Sequence, residues 1–129
     1  MSDEDTKPEV APSHFDRARR KVLISGLSDW VSLSDVDGAS SFGEPVATKQ
    51  QLTLRVIRSL IDDGLMRLGD LASPDGRFRA WGCSTDEAMQ RVRDLYIDHY
   101  DDVDVWIWRV WLDLTETGEK LARQLELSD

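Results

Sequence analysis

The sequence predicts an α+β fold: a three-helix cluster, a small antiparallel sheet, one inserted helix and a C-terminal helix. Three observations predict it. Apolar residues recur at helical spacing in several stretches, each opened by a Ser or Thr able to cap a helix. A turn pattern, Ser73-Pro74-Asp75-Gly76, separates two stretches of strand character. Residues 105–114 alternate strictly and run into a fresh helix cap at Thr115.

Each element follows from its residues. Residues 1–12 are acidic and polar, hold Pro8 and Pro12, and show no period, so a disordered tail is expected before a single domain over 13–129. Ser13 caps a helix from His14 to about Asp29, with Phe15, Ala18, Val22, Leu23, Gly26, Leu27 and Trp30 as its inner stripe. Val31 to Leu33 is a short extended link, and Ser34 caps a brief helix with Asp35 and Asp37 in its first turn, where the helix dipole favours acids. Thr48 and Gln51 match a capping box for a helix that Gly64 stops. Leu52, Val56, Ile57, Leu60 and Ile61 face inward on it. Gln51, Arg55, Arg58 and Asp62 lie outward.

Residues 65–71 and 77–81 read as strands around the turn, and whether 77–81 pairs with 65–71 or with 105–113 is open. Ser84 and Glu87 form a second capping box, for a helix to about His99 with Ala88, Met89, Val92, Leu95 and Tyr96 inward. In the alternating stretch, Trp106, Trp108, Val110, Leu112 and Leu114 share one face, expected to be core. Val105, Ile107, Arg109, Trp111 and Asp113 share the other. Thr115 to Leu127 is the last helix, with Glu116–Lys120 and Glu119–Arg123 as favourable pairs.

Composition bounds the function. The chain has 129 residues, 40% hydrophobic and 32% charged, and a net charge of -9. That suits one domain with a modest core. A single cysteine, Cys83, excludes an internal disulfide and fits a reducing compartment. No run approaches the roughly 20 apolar residues of a membrane span. The N-terminus lacks an apolar signal core, so a cytoplasmic protein is expected. The basic residues Arg17, Arg19, Arg20, Lys21, Lys49, Arg55 and Arg58 give residues 16–58 a slight positive balance, while the remainder is strongly acidic and would repel a phosphate backbone.

The stretch Leu112-Asp113-Leu114-Thr115-Glu116-Thr117-Gly118-Glu119-Lys120-Leu121-Ala122 resembles the strand, Leu-Thr-x-x-Gly, helix exit of winged-helix domains. With the order of the other elements, residues 14–125 look like the winged-helix fold of small bacterial repressors. The resemblance implies that helix 48–63 enters a DNA major groove, with Gln51, Arg55 and Arg58 as readers and Arg77 and Arg79 as backbone contacts. Two features depart from the family pattern: helix 84–99 stands where the family runs strand to strand, and the chain beyond residue 58 is acidic.

No residue set supports catalysis or metal binding. Cys83 and His99 sit at opposite ends of one helix of about 15 residues, more than ~20 Å apart at 1.5 Å per residue, so they form no nucleophile–base pair. Two His and one Cys, far apart, do not make a zinc site. Asp98, Asp101, Asp102 and Asp104 lack the Gly and terminal Glu of a calcium loop. The cluster Arg17, Arg19, Arg20 and Lys21 reads either as a seat for an acidic group or as a solvated face. Trp111, beside Ile107 and Arg109, reads either as an interface anchor or as a face covered by a helix.

The expectation is therefore a non-enzymatic intracellular protein-binding module, an adaptor or immunity-like protein, with no cofactor and no metal. It would present Ile107, Arg109, Trp111, Asp101, Asp102 and Asp104 to a basic protein partner. The alternative is a DNA-binding transcriptional regulator, working as a homodimer and using helix 48–63.

Overall fold

A computed structural model describes residues 13–72 and 76–128. The expected tail and the Ser73-Pro74-Asp75 part of the turn lie outside the described residues; Gly76 adopts φ 67°, the left-handed conformation that the last turn position asks of a glycine. In chain order the elements are α1 (His14–Ser25), β1 (Val31–Ser32), α2 (Leu33–Ala39), α3 (Val46–Asp62), β2 (Met66–Ala72), β3 (Arg77–Ala80), α4 (Thr85–Tyr96), α5 (Val103–Trp106), β4 (Trp111–Leu114) and α6 (Glu116–Leu127). This is a mixed α+β fold with a C-terminal helix, compatible with a winged-helix shape.

The sheet is antiparallel in the order β1-β4-β2-β3. Val31 pairs with Leu112, Leu68 with Leu112 from the other side, and Leu71 with Phe78. Residues 77–80 thus pair with β2, which resolves the pairing that the sequence leaves open. The connection from β3 to its second neighbour along the chain, β4, runs through α4 and α5.

Local chemistry explains most boundaries. Ser13 caps α1 through the amide of Asp16. The brief α2 starts two residues earlier than its Ser34 suggests, because Ser32 and Asp35 form a reciprocal capping box. Helix α3 also starts early, after Pro45, which pre-sets the backbone angle of the helix entry but supplies no side-chain cap; Thr48 lies inside the helix. Its end is as expected: Gly64 turns left-handed at φ 71°, and the amides of Leu65 and Gly64 reach back to the carbonyls of Leu60 and Ile61. Ser84 and Glu87 make the second capping box.

The core is one cluster. It includes Val22 and Leu23 of α1, Leu33 and Val36 of α2, Val56, Ile57 and Leu60 of α3, Val92 and Tyr96 of α4, Leu112 of β4 and Ala122 of α6. The inward stripes expected of α1, α3 and α4 are therefore buried or half-buried, and Thr53 and Leu54 join them. Thr53 is tolerated there because its hydroxyl donates to the Lys49 carbonyl, which satisfies the polar group in place.

The junction of β4 and α6 has a specific physical basis. Thr115 Oγ1 accepts the Gly118 amide, capping α6, and donates to the Gly64 carbonyl at 2.6 Å. The Thr115 amide donates to the Leu65 carbonyl. A Cβ on Gly118 would overlap that same carbonyl, so the glycine permits the approach of α6 to the start of β2.

One expectation is corrected. Residues 105–114 are not a single strand. Residues 103–106 form a helical turn, the amides of Val105, Ile107 and Arg109 donate to Asp102, Val103 and Trp106, and only Trp111–Leu114 is strand. Consequently Trp106, Val110 and Leu112 are buried as expected and Leu114 is half-buried, but Trp108 is 65% exposed. The aromatic environment of Trp106 explains the departure. Its ring stacks on Tyr100 at 5.5 Å and meets Tyr96 edge-on at 5.0 Å, and its indole N–H donates to the Tyr100 carbonyl. Satisfying that indole draws the chain into a turn.

Candidate interaction site

The helix α4 brings Tyr96 down onto α2 and α3. Its buried hydroxyl donates to Asp37 Oδ1 at 2.5 Å and lies 3.2 Å from Thr53 Oγ1. Burial first, and the bond to Asp37 second, push the Tyr96 phenol well above its ordinary range. Tyr100 also donates to Asp37, and Lys49 pairs with its other oxygen at 3.3 Å. The Lys49 ammonium is pushed up by the Tyr100 hydroxyl and, against its partial burial, by the Asp37 carboxylate. This knot fixes the end of α4, and hence the start of the loop carrying Trp106.

What leaves the knot is the exposed part of the excursion. After Trp106 enters the core, the chain turns outward, and Trp108 stacks on Trp111 with centroids 5.8 Å apart and planes within 20°. The Trp111 indole N–H donates back to the Trp108 carbonyl at 3.0 Å. The pair forms a ridge between two clefts. One, of about 780 Å³, runs along α4 and β2 and is lined by Leu71, Arg91, Asp94, Trp108 and Arg109 among others. The other, of about 680 Å³, lies against α1 and α2 and is lined by Lys21, Asp29, Trp30, Asp35, Trp108 and Trp111 among others.

The expected partner-binding residues divide. Trp111 is half-buried and belongs to the ridge, and Arg109 is exposed on the α4 side of it. Ile107 is half-buried against the core and is no longer on a shared strand face with them. Asp101, Asp102 and Asp104 are exposed on the turn that precedes the ridge. Of the five tryptophans, Trp108 is the exposed one, and reading alternation across 105–114 hid it. A competing signal was available: Trp106 and Val110 are four apart, and the acids Asp101, Asp102 and Asp104 suit the start of a helical turn.

The arginines of the DNA alternative are exposed but engaged. Gln51, Arg55 and Arg58 do lie on the outer side of α3. Arg55 stacks its guanidinium 4.9 Å over the Phe15 ring of α1. Arg58 bridges Asp62 and, at 2.8 Å, Asp86 of α4, and these carboxylates push its pKa up. Arg77 and Arg79 are exposed on the edge strand β3. The α1 cluster is also partly spoken for: Arg19 pairs with Asp63 and bonds Ser59, and Arg20 donates to the Leu125 carbonyl.

Among the described residues no group of three or more His, Cys, Asp and Glu is placed to hold a metal ion, and no helix is long and apolar enough to cross a membrane. Cys83 is an exposed free thiol. Comparison with protein-family models, with curated proteins and with solved structures finds no match for this chain.

Proposed function

We propose that the protein is a non-enzymatic protein-binding module that docks a basic protein partner on the Trp108–Trp111 ridge. The observation that carries this reading is Trp108: a large apolar side chain, 65% exposed, held in a fixed stack and flanked by clefts on both sides. Tryptophan and arginine are the residues that most often dominate binding energy, and Arg109 stands next to the stack. A rigid ring pair loses little conformational freedom on binding. The acids Asp101, Asp102 and Asp104 before the ridge, and a net charge of -9, would speed the approach of a basic partner. An adaptor or immunity-like role is the form this would take, in a reducing, cytoplasmic compartment that suits the exposed thiol of Cys83.

We read the scaffold as winged-helix-like. Helices α1 to α3, with β1 between the first two, precede a pair of strands, β2 and β4, that would form the wing; β3, α4 and α5 extend that wing into an excursion. A regulator that reads DNA through α3 is the alternative on this scaffold, and its Arg55 and Arg58 already engage Phe15, Asp62 and Asp86.

The test is reconstitution. A partner captured on the immobilised protein is purified, and its affinity is measured by calorimetry for the wild type, Trp108→Ala and the pair Arg55→Ala with Arg58→Ala. The expected result is a loss of about 2 kcal/mol for Trp108→Ala and no change for the arginine pair. Unchanged affinity in Trp108→Ala defeats the reading. So does salt-sensitive binding to mixed-sequence duplex DNA that the arginine pair abolishes.

A further inference from the structure

The two clefts beside the ridge differ in chemistry. The one against α1 and α2 is lined by three tryptophans, Trp30, Trp108 and Trp111, by two carboxylates, Asp29 and Asp35, and by Lys21. Both carboxylates use one oxygen locally: Asp29 Oδ1 accepts the Trp30 amide and Asp35 Oδ2 accepts the Ser32 amide. Neither is in an ion pair found among the described residues, in contrast to Asp37, Asp62, Asp63, Asp70, Asp86 and Asp113. Indole faces attract cations through the ring quadrupole, and an adjacent carboxylate adds charge and a hydrogen-bond acceptor. A planar guanidinium is the cation that stacks on an indole and bonds a carboxylate edge-on in one pose.

We propose that this cleft receives an arginine side chain of the basic partner, stacked against the tryptophans with its edge toward Asp29 and Asp35. The inference rests on the ridge reading above and gives it a polarity: the partner's arginine enters on the α1–α2 side, and the chain that carries it crosses Trp108. The chain already shows the same chemistry internally, with Arg91 at 4.2 Å over the Trp81 ring. Lys21 opposes it, since a like charge in the lining lowers the affinity of the cleft for a cation.

The probe is a short acetylated, amidated peptide of glycine and arginine, set against the same peptide with citrulline, the neutral isostere of arginine. The readout is the indole N–H resonances of the full-length protein, assigned by single Trp→Phe variants. The arginine peptide is expected to shift the Trp30, Trp108 and Trp111 signals and to bind about tenfold tighter than the citrulline peptide. Lys21→Glu, on the exposed face of α1, is expected to tighten arginine binding, and Asp29→Asn to weaken it, while both leave the other indole signals in place. Equal response to the two peptides, or no response at millimolar concentration, overturns the proposal. The two readings fail differently. If Trp108→Ala releases the purified partner but the peptides are not discriminated, only the arginine assignment falls. If Trp108→Ala leaves the partner bound, the ridge itself is not the docking surface and both fall.

Discussion

Residues 13–72 with β4 and α6, and the excursion that runs from β3 through α5 to Trp108, obey different rules. In the first, polar groups and charges find partners inside the element set: caps at Ser13, Ser32 and Thr115, the Arg19–Asp63 pair, the Arg67–Asp113 pair across β2 and β4. In the second, Ala88, Met89, Val92, Tyr96 and Trp106 are buried, and the next aromatic, Trp108, is left in water. A chain that needs only to fold has no use for a solvated tryptophan stacked on another. The contrast separates groups that are buried or paired within the fold from an indole pair that meets water beside them.

Substitutions can break or sharpen that contrast. The largest expected effect is at the anchor of the excursion. Trp106→Ala removes a fully packed ring and its indole hydrogen bond, and should cost about 3–5 kcal/mol in urea unfolding. Next is Gly118→Ala, which forces a methyl group into the Leu65 carbonyl and should cost about 2–3 kcal/mol by the same measurement. If Gly118→Ala were neutral, the close approach of α6 to β2 would not be a requirement of the scaffold. Trp108→Ala should behave oppositely to Trp106→Ala, with the partner lost but the thermal midpoint moved by no more than about 2 °C. Equal destabilisation by the two would erase the distinction between anchor and ridge.

Two smaller effects report on the ties between the regions. Tyr96 of α4 holds Asp37 of α2, and its phenol is pushed up in the folded state. The folded protein therefore keeps a proton that the unfolded chain releases near its ordinary value of about 10. Stability from this group is complete below that pH and falls as pH rises above it. Tyr96→Phe should cost about 1 kcal/mol at neutral pH and flatten the alkaline decline in chemical denaturation. A decline as steep in Tyr96→Phe as in the wild type would assign it to other groups. The smallest effect belongs to Arg58, whose pairs with Asp62 and Asp86 are exposed. Arg58→Ala should leave the urea midpoint almost unmoved, and any small difference should vanish at high salt.

The legibility of the sequence follows the same division. Elements governed by local chemistry could be read: the Ser13 and Ser84 caps, the Gly64 stop, the helical stripes of α1, α3 and α4. The Leu-Thr-x-x-Gly junction could be recognised as a pattern, and the structure supplies its cause in Thr115 and Gly118. The end of the excursion, residues 103–110, could not be read, because its conformation depends on partners on other elements. Whether residues 105–110 extend or turn is decided by Tyr96 and Tyr100 receiving Trp106, and Tyr96 is itself placed by Asp37. Alternation of apolar residues fits both outcomes over such a short run. The same dependence hid Trp30, which reads as the end of a buried stripe but lines the cleft beside the ridge.

The pairing of Val31 with Leu112 carries a consequence for how the chain is made. On a ribosome, α1 to α3 emerge and can condense through local contacts while β1 still lacks its neighbour. The strand that completes the sheet is supplied only after the excursion has been synthesised, and α6, which sits on Leu65, follows it. One edge of β2 therefore stays open while the residues between it and β4 are added, and β1, made earlier, waits longer still for the same strand.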